Sequence, residues 1–299
     1  MSVIWGIPYL LIKVADEGVS VPVLVFARTS VAALLLLPLA LRRREIRVLL
    51  PYWRWLVVFA LVEIVAPWLL LSNAERHLSS STTGLLVAVV PIIGVLLARL
   101  TGDAERLSVI RLAGLFIGLS GVALLAGHLT GGGAWPIAEV LLVAIGYATG
   151  PLIASRKLGD LPGLGMTAVC LAFSAVVIAP AAALSLPHAV PPARVVASLA
   201  GLAVVCTALA FVLFFKLIGE VGPARATVIT YVNPAVAVAL GVAVLGEPLT
   251  PAILLSFVLI LSGSVLATRR GQQAVPARET AGAPDATAAM PRGEPARHP

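Results

Sequence analysis

Residues 57–71 read VVFALVEIVAPWLLL, an apolar run with a single carboxylate, Glu63, near its centre. A run of this kind is typical of a helix that crosses a lipid bilayer, because about twenty apolar residues span a hydrocarbon core of about 30 Å. The whole chain has the same character, since 60% of its 299 residues are hydrophobic and only 12% are charged. The sequence therefore predicts an all-α, polytopic membrane protein in contact with the lipid bilayer, and not a soluble domain.

Ten apolar segments are separated by short polar breaks. We place them at 1–15, 22–41, 55–74, 81–99, 111–129, 137–157, 164–186, 194–216, 225–245 and 250–268. The first segment is short for a bilayer. We therefore expect either a thinner membrane around it or a true start of the chain further upstream.

Basic residues are concentrated in alternate breaks and after the last segment. This set comprises Arg42, Arg43, Arg44, Arg47, Arg54, Arg99, Arg106, Arg111, Arg156, Lys157, Lys216, Arg225, Arg269 and Arg270. The intervening breaks hold only Arg76 and Arg194. Because cytoplasmic loops carry the excess of Lys and Arg, we expect an inner-membrane protein with both termini cytoplasmic. The net charge of +7 lies at helix ends and in short loops, so nucleic acid is not an expected partner.

The two halves of the chain are related by an internal repeat at an offset of 142 or 143 residues. Corresponding features are Pro38 and Pro180, Pro91 and Pro234, ERLS at 105–108 and EPLT at 247–250, and LSG at 119–121 and at 261–263. Each copy holds five segments, an odd number, so the second copy must enter the membrane from the opposite side. The predicted architecture is ten transmembrane helices in two inverted five-helix repeats, 1–129 and 130–268, followed by a disordered cytoplasmic tail, 269–299.

Several motifs resemble the EamA-type exporters of the drug/metabolite transporter superfamily. WGIPYLLIK at 5–13 is similar to that family's W-G-S-N-F-x-x-x-K in helix 1, with Ile7-Pro8 in place of Ser-Asn. Arg28 matches an arginine of the helix 2 pattern, and GEPLT at 246–250 is close to the family's G-E-x-L-[ST] turn. The resemblance covers about residues 3–268. It implies a secondary transporter that exports small metabolites, such as amino acids or related compounds, by alternating access.

Glu63 is the most conspicuous candidate for a functional group. An ionised side chain at the bilayer centre costs about 2.5–3.5 kcal/mol on insertion scales, so its presence needs a compensating role. In a regular helix small residues dominate the face of Glu63, whereas Leu61, Val65 and Trp68 lie opposite and would face lipid. We therefore expect Glu63 to point inward, where it binds substrate, couples transport to protons or pairs with a neighbouring helix. The matching position in helix 8, Cys206, carries no carboxylate.

Aromatic residues of helices 1 and 6 are further candidates for the substrate cavity. Trp5 and Tyr9 share one face of helix 1, and Tyr147 in helix 6 corresponds to Trp5 in the repeat. This pattern predicts an aromatic-walled cavity. Anchoring of Trp and Tyr at the membrane interface is the alternative interpretation.

Helix 9 combines a polar stripe with a proline. Thr227, Thr230 and Tyr231 lie on one face beside Pro234. Pro234 removes a backbone hydrogen bond near the midplane, so we expect a hinge there and a second hinge at Pro91 in helix 4. The stripe either lines the cavity or bonds to its own backbone.

Two cations near the membrane edge, Lys13 and Arg28, have acidic neighbours in Asp16 and Glu17. We expect snorkelling or a bracing ion pair for these cations more than direct contact with substrate. A G-x-x-x-G at Gly114 and Gly118 predicts close packing around helix 5.

Motifs for other classes of protein are missing from the sequence. There is no G-x-x-x-x-G-K-[ST] loop, no H-E-x-x-H and no clustered histidine set, so we expect no enzyme activity, no cofactor and no metal. The expected partner is a small-molecule substrate, and protons are a possible coupling ion. Two alternatives stay open. One is efflux of drugs or other cations with Glu63 as the counter-charge, and the other is a membrane scaffold or enzyme.

Overall fold

The chain folds into a bundle of apolar helices in a computed structural model that describes residues 1–102, 108–127, 134–221 and 231–268. The helices are α1 Ser2–Ala15, α2 Val21–Arg42, α3 Ile46–Glu75, α4 Ser80–Leu100, α5 Val109–Gly127, α6 Ala134–Lys157, α7 Gly163–Ala183, α8 Ala193–Val221, α9 Asn233–Leu245 and α10 Pro251–Thr268. Eight of them are long and apolar enough to cross a membrane, and α1 and α9 are shorter apolar helices. The prediction of an all-α, ten-helix membrane protein is confirmed.

The helices of the two halves pack in a symmetric pattern. Three contacts join equivalent helices: α2 packs along α7, α4 against α9, and α5 against α10. The contacts of α1 with α8 and α9 are matched by those of α6 with α3 and α4. Each helix of one repeat thus contacts the same kind of partner as its equivalent in the other repeat. This pattern is expected when a pseudo-two-fold axis relates two inverted repeats. The contacts between the described helices therefore fit two inverted five-helix repeats that pack against each other.

Connections between the helices gather at two ends of the bundle. At one end, which we call the first-loop end, Arg76 Nε donates to Asp16 Oδ1 at 2.9 Å and ties the α3–α4 connection to the end of α1. At the opposite, arginine-rich end, Arg156 Nη2 donates to Thr101 Oγ1 at 2.8 Å. A third polar contact, between the Ser20 and Ser185 hydroxyls, joins the two repeats at the first-loop end.

Small residues allow α5 and α10 to approach closely. A side chain on Gly114 would lie 2.8 Å from the carbonyl oxygen of Gly263 and 2.7 Å from Leu266 Cβ. A side chain on Gly118 would overlap Ile92 of α4. The close packing that the G-x-x-x-G pattern predicted is confirmed, with α10 filling the space at Gly114 and Ile92 of α4 filling it at Gly118.

One helix interruption and one helix start lie beside the two prolines that we expected to act as hinges. Helix α4 is broken between Val87 and Val90, directly before Pro91, and Ser264 Oγ of α10 donates to the released carbonyl of Ala88 at 2.9 Å. Pro234 stands in the first turn of α9. Hinge motion at either proline stays a prediction.

A π-helical turn interrupts α3 at Leu61–Val65, around Glu63, and a second one interrupts α8 at Gly201–Leu209. The repeat relates the two turns. Each extra residue in a turn rotates the following side chains by about 100°. This rotation corrects one expectation: Val65 and Trp68 are buried in the bundle, although a regular helix would turn them to the lipid. Leu61, as expected, is exposed.

Some of the residues and segments that the sequence analysis selected lie outside the described residues. This applies to Thr227 and Thr230, to the segment before α9, and to the predicted tail at 269–299. The roles of these residues stay predictions.

Candidate substrate-binding site

Arg28 of α2 is buried in the bundle, with 7% of its surface exposed. Its guanidinium carbon lies 3.7 Å from the centroid of the Trp68 ring, and its Nε donates to Thr207 Oγ1 at 2.9 Å. The described residues give neither Nη nitrogen a hydrogen-bond partner. A guanidinium that is held by one face and by Nε presents its two Nη groups as a planar fork, which matches a carboxylate.

The π-helical turn of α8 prepares Thr207 to receive this arginine. The Thr207 hydroxyl donates to the carbonyl of Leu202, five residues earlier, at 2.8 Å. Because its hydrogen is used there, the oxygen accepts the hydrogen bond from Arg28. The guanidinium is thereby connected to both repeats, through Trp68 in the first and Thr207 in the second.

The partners of the two cations differ from those expected. Lys13 Nζ donates to the backbone carbonyls of Glu75 and Leu78, at 2.8 Å for Leu78, because the carboxyl end of a helix attracts a cation. Arg28 forms no ion pair with any described residue and stacks on an aromatic ring instead. The nearby carboxylates pair elsewhere, Asp16 with Arg76 and Glu17 with Arg194.

Two of the predicted aromatic residues lie around Arg28. Tyr9 is buried and Tyr147 half-buried, and each is an electrostatic neighbour of Arg28 and of the other. The Tyr147 hydroxyl also interacts with the Trp68 side chain. Three aromatic residues from α1, α3 and α6 thus surround the guanidinium, and we call Tyr9, Arg28, Trp68 and Tyr147 the central cluster.

Glu63 lies beside the central cluster. Its Oε2 is buried and has no hydrogen-bond partner among the described residues. The side chain rests on Gly150 of α6, and Glu63 is an electrostatic neighbour of Tyr147. A carboxyl group and a guanidinium therefore flank the same tyrosine. This arrangement suits a ligand that carries both a cationic and an anionic group.

Two other predicted residues occupy different surroundings. Trp5 packs against α8, with its ring centroid 6.0 Å from Phe211 and 4.8 Å from Phe214. The Tyr231 hydroxyl lies 2.5 Å from that of Thr268, the last residue of α10. Neither contact belongs to the central cluster, so a substrate-binding role for Trp5 or Tyr231 stays a prediction.

Two buried carboxyl groups and one half-buried carboxyl group near the first-loop end were not selected from the sequence. Glu75, with 0% of its surface exposed, ends α3, and Glu139 of α6 accepts a hydrogen bond from Asn73 Nδ2 at 2.7 Å. Glu247 accepts from the backbone N–H groups of Ser80 and Ser81 at 2.7 and 2.9 Å. The sequence could have indicated Glu247, because this residue belongs to the GEPLT motif. It gave no such indication for Glu75 and Glu139, because both lie close to the ends of predicted segments, where charged residues are common.

The bundle of inverted repeats holds the central cluster and Glu63 between its helices. Buried polar groups in such a bundle are typical of one class of protein, the polytopic membrane transporters. The model of the EamA-like transporter family matches residues 1–127 and 134–269, which together form most of the chain. The chain belongs to the EamA-like transporter family.

Individual relatives agree with this assignment. The chain is 29% identical over 274 residues to "Uncharacterized inner membrane transporter YedA" of Escherichia coli (strain K12), covering 90% of this chain and 88% of the relative. It is 29% identical over 283 residues to "Probable terminal-alkyne amino-acid exporter" of Streptantibioticus cattleyicolor, covering 90% and 91%. Together with the apolar helices, these relatives indicate a multi-pass transporter of the inner membrane.

A solved structure has a similar fold. It is described only as "Crystal structure of protein", and it superimposes with a TM-score of 0.64 over 89% of this chain and 94% of its own. Its sequence is 23% identical, so the similarity shows the shared fold alone.

Proposed function

We propose that this transporter exports amino acids or closely related zwitterionic metabolites across the inner membrane by alternating access. The observation that carries the proposal is the Arg28 side chain, which is 7% exposed, lies against aromatic rings and gives its two Nη groups no hydrogen-bond partner among the described residues. A buried cation of this kind needs an anionic partner, and a substrate carboxylate would supply one. The similarity to a relative named as an amino-acid exporter supports this substrate class.

The neighbouring groups suit the remainder of an amino acid. Glu63 would accept the substrate ammonium group, because its Oε2 has no donor among the described residues. Tyr9, Trp68 and Tyr147 would contact the substrate side chain, as aromatic residues do in many small-molecule sites. With substrate bound, Arg28 and Glu63 would fix its orientation, while the aromatic walls would tolerate different side chains.

The π-helical turns would couple substrate binding to movement. Glu63 lies in the turn of α3 and Thr207 in the turn of α8, so both proposed anchors are connected to irregular backbone. Turns of this type are frequent at functional sites. Because the two turns are equivalent in the inverted repeats, a change at one has a counterpart at the other, as alternating access requires.

Counterflow in proteoliposomes tests the proposal. Vesicles are loaded with a mixture of amino acids, and uptake of each labelled amino acid is compared for the wild type, Glu63→Gln and Arg28→Gln. Glu220→Gln is the matched control, because Glu220 is exposed and pairs only with Lys216 on its own helix. We expect exchange in the wild type and control, and loss in the two site variants.

A wild type that exchanges no amino acid would overturn the substrate assignment. Efflux of drugs or other cations is the competing function, and the unpartnered Oε2 of Glu63 beside an aromatic cluster is the observation that favours it. In that case the vesicles would exchange a cationic dye, Glu63→Gln would abolish the exchange, and Arg28→Gln would leave it intact.

A further inference from the structure

Glu75 is a buried carboxyl group that the proposed transport site does not use. It has 0% of its surface exposed, and neither carboxyl oxygen has a hydrogen-bond partner among the described residues. Glu139, also buried, differs because Asn73 donates to it. An ionised carboxylate without any donor is strongly disfavoured in the interior of a protein. Burial without a donor therefore favours the protonated form of Glu75 in this conformation.

Titratable groups from several neighbouring elements interact electrostatically with Glu75. They are Tyr9 and Lys13 of α1, Asp16 directly after α1, Arg28 of α2, Tyr147 of α6 and Glu247 after α9. Among these groups, Lys13 contacts the Glu75 backbone directly, since its Nζ donates to the backbone carbonyl of Glu75 and to that of Leu78. A cation thus lies beside Glu75 but is engaged with carbonyl oxygens.

The first-loop end of the bundle holds an open polar cavity of about 360 Å³, lined by Lys13, Asp16, Glu17 and Arg76. Lys13 therefore lines this cavity and also donates to the backbone carbonyl of Glu75. It is the natural partner for Glu75 if the carboxyl group loses its proton.

We propose that Glu75 is a proton-binding site that controls the affinity of Arg28 for the substrate carboxylate. The O–H bond of the Glu75 carboxyl breaks, the proton passes to water at the first-loop end, and Lys13 Nζ turns from the two carbonyls to the new carboxylate. The return of a proton reverses each step. This inference rests on the proposed function, because it requires an anionic group at Arg28.

The charges fix the sign of the coupling. Glu75 is an electrostatic neighbour of Arg28, so a negative charge on Glu75 opposes the approach of the substrate carboxylate to the guanidinium. A proton on Glu75 removes this repulsion and strengthens substrate binding, and by linkage the substrate also strengthens proton binding. Substrate affinity is expected to fall as the pH rises, by up to about tenfold per pH unit for one linked proton.

Infrared pH-difference spectra test the proton site without any substrate. Full-length protein in proteoliposomes is compared with Glu75→Gln, with Glu75→Asp, and with the buried control Glu139→Gln. We expect the carbonyl band of a protonated carboxyl group in the wild type at neutral pH, its loss in Glu75→Gln, and its retention in the control. Glu75→Asp keeps a carboxyl group and is expected to keep a shifted band. Identical bands in the wild type and Glu75→Gln would overturn the proton site.

Amino-acid counterflow at several pH values tests the coupling. The half-saturation concentration is expected to rise with pH in the wild type and in Glu139→Gln, and to be independent of pH in Glu75→Gln. The same rise in Glu75→Gln, or none in the wild type, would overturn the control by Glu75. A wild type without amino-acid exchange would overturn the proposed function instead, and the infrared band would still decide whether Glu75 holds a proton.

Discussion

The Glu63 carboxyl group lies directly on the bare α-carbon of Gly150 in the facing helix α6. A β-carbon built at Gly150 would stand 2.7 Å from Cδ of Glu63 and would overlap its Oε2. The absence of a side chain at this position is therefore what allows the carboxyl group to lie between α3 and α6, close to Tyr147.

Gly150→Ala is expected to displace Glu63 and to lower amino-acid exchange about tenfold, which corresponds to about 1.4 kcal/mol. The reason is steric, since the added methyl group occupies the space of the carboxyl group. Gly94→Ala is the matched control, because a β-carbon there meets no atom within 4 Å. Counterflow and thermal unfolding are measured on both variants. Wild-type exchange in a folded Gly150→Ala protein would show that the position of Glu63 is unimportant.

Arg28→Lys is expected to raise the half-saturation concentration for the substrate at least tenfold. Lysine keeps the charge, but it loses the planar fork, the stacking on Trp68 and the Nε bond to Thr207. A hydrogen bond to a charged group contributes about 1.5–3 kcal/mol, so the loss of one such bond accounts for the expected rise in the half-saturation concentration.

Thr207→Val should have a smaller effect in the same direction, because it removes only the acceptor for Arg28 Nε. Thr149→Val on α6 is its control, since the Thr149 hydroxyl bonds only to the carbonyl of Ile145 on its own helix. Equal kinetics for Thr207→Val and Thr149→Val would mean that Thr207 does not hold the arginine in place.

Much of the fold could be predicted from the sequence, because hydropathy locates membrane helices and a repeat reveals itself through a constant offset. The helices were predicted to within several residues at most ends. In contrast, the contact of Arg28 with Thr207 joins residues far apart in the chain, and no local pattern specifies which helices meet.

The error at Trp68 has a specific physical cause. The face assignment assumed a regular helix from Val57 to Leu71, but the π-helical turn at Leu61–Val65 rotates the residues that follow it. Trp68 is thereby turned from the lipid to the guanidinium. Glu75 was missed for a different reason, since its burial depends on the neighbouring helices and not on its place at a helix end.

Glu247→Gln is expected to lower the free energy of unfolding by about 1 kcal/mol, the usual loss for a helix cap. Glu247 accepts hydrogen bonds from the Ser80 and Ser81 N–H groups and from the Ser81 hydroxyl, and its charge complements the amino end of α4. Glutamine keeps one oxygen but loses the charge.

Thermal unfolding in detergent measures the effect of Glu247→Gln, with Glu220→Gln as the control. The Glu220 pair with Lys216 is exposed and spans 3.9 Å, so its removal should change the unfolding temperature very little. Equal unfolding temperatures for the two variants would show that the link between Glu247 and α4 adds nothing to stability.

Asp16 provides a pH-dependent prediction outside the membrane-spanning segments. It follows the last residue of α1, its side chain is 8% exposed, and its Oδ1 accepts from Arg76 Nε at 2.9 Å. Burial raises the pKa of Asp16 above its usual value, and the attraction of Arg76 offsets this only in part. The ionised carboxylate is therefore a net cost to the folded protein at neutral pH.

Asp16→Asn is expected to be at least as stable as the wild type at neutral pH, because asparagine keeps an oxygen for Arg76 and carries no charge. A raised pKa means that the folded state binds the proton more tightly than the unfolded state. The wild type should therefore gain stability relative to Asp16→Asn as the pH falls from the raised pKa of Asp16 in the folded state to its usual value in the unfolded state, and the difference should disappear below the usual value. Thermal unfolding over an acidic-to-neutral pH series measures this, with Glu17→Gln as the control, since Glu17 pairs with Arg194 while about half exposed. A wild type that is more stable at neutral pH and loses that advantage in acid would reverse the sign, and would show that the attraction of Arg76 outweighs the burial of Asp16.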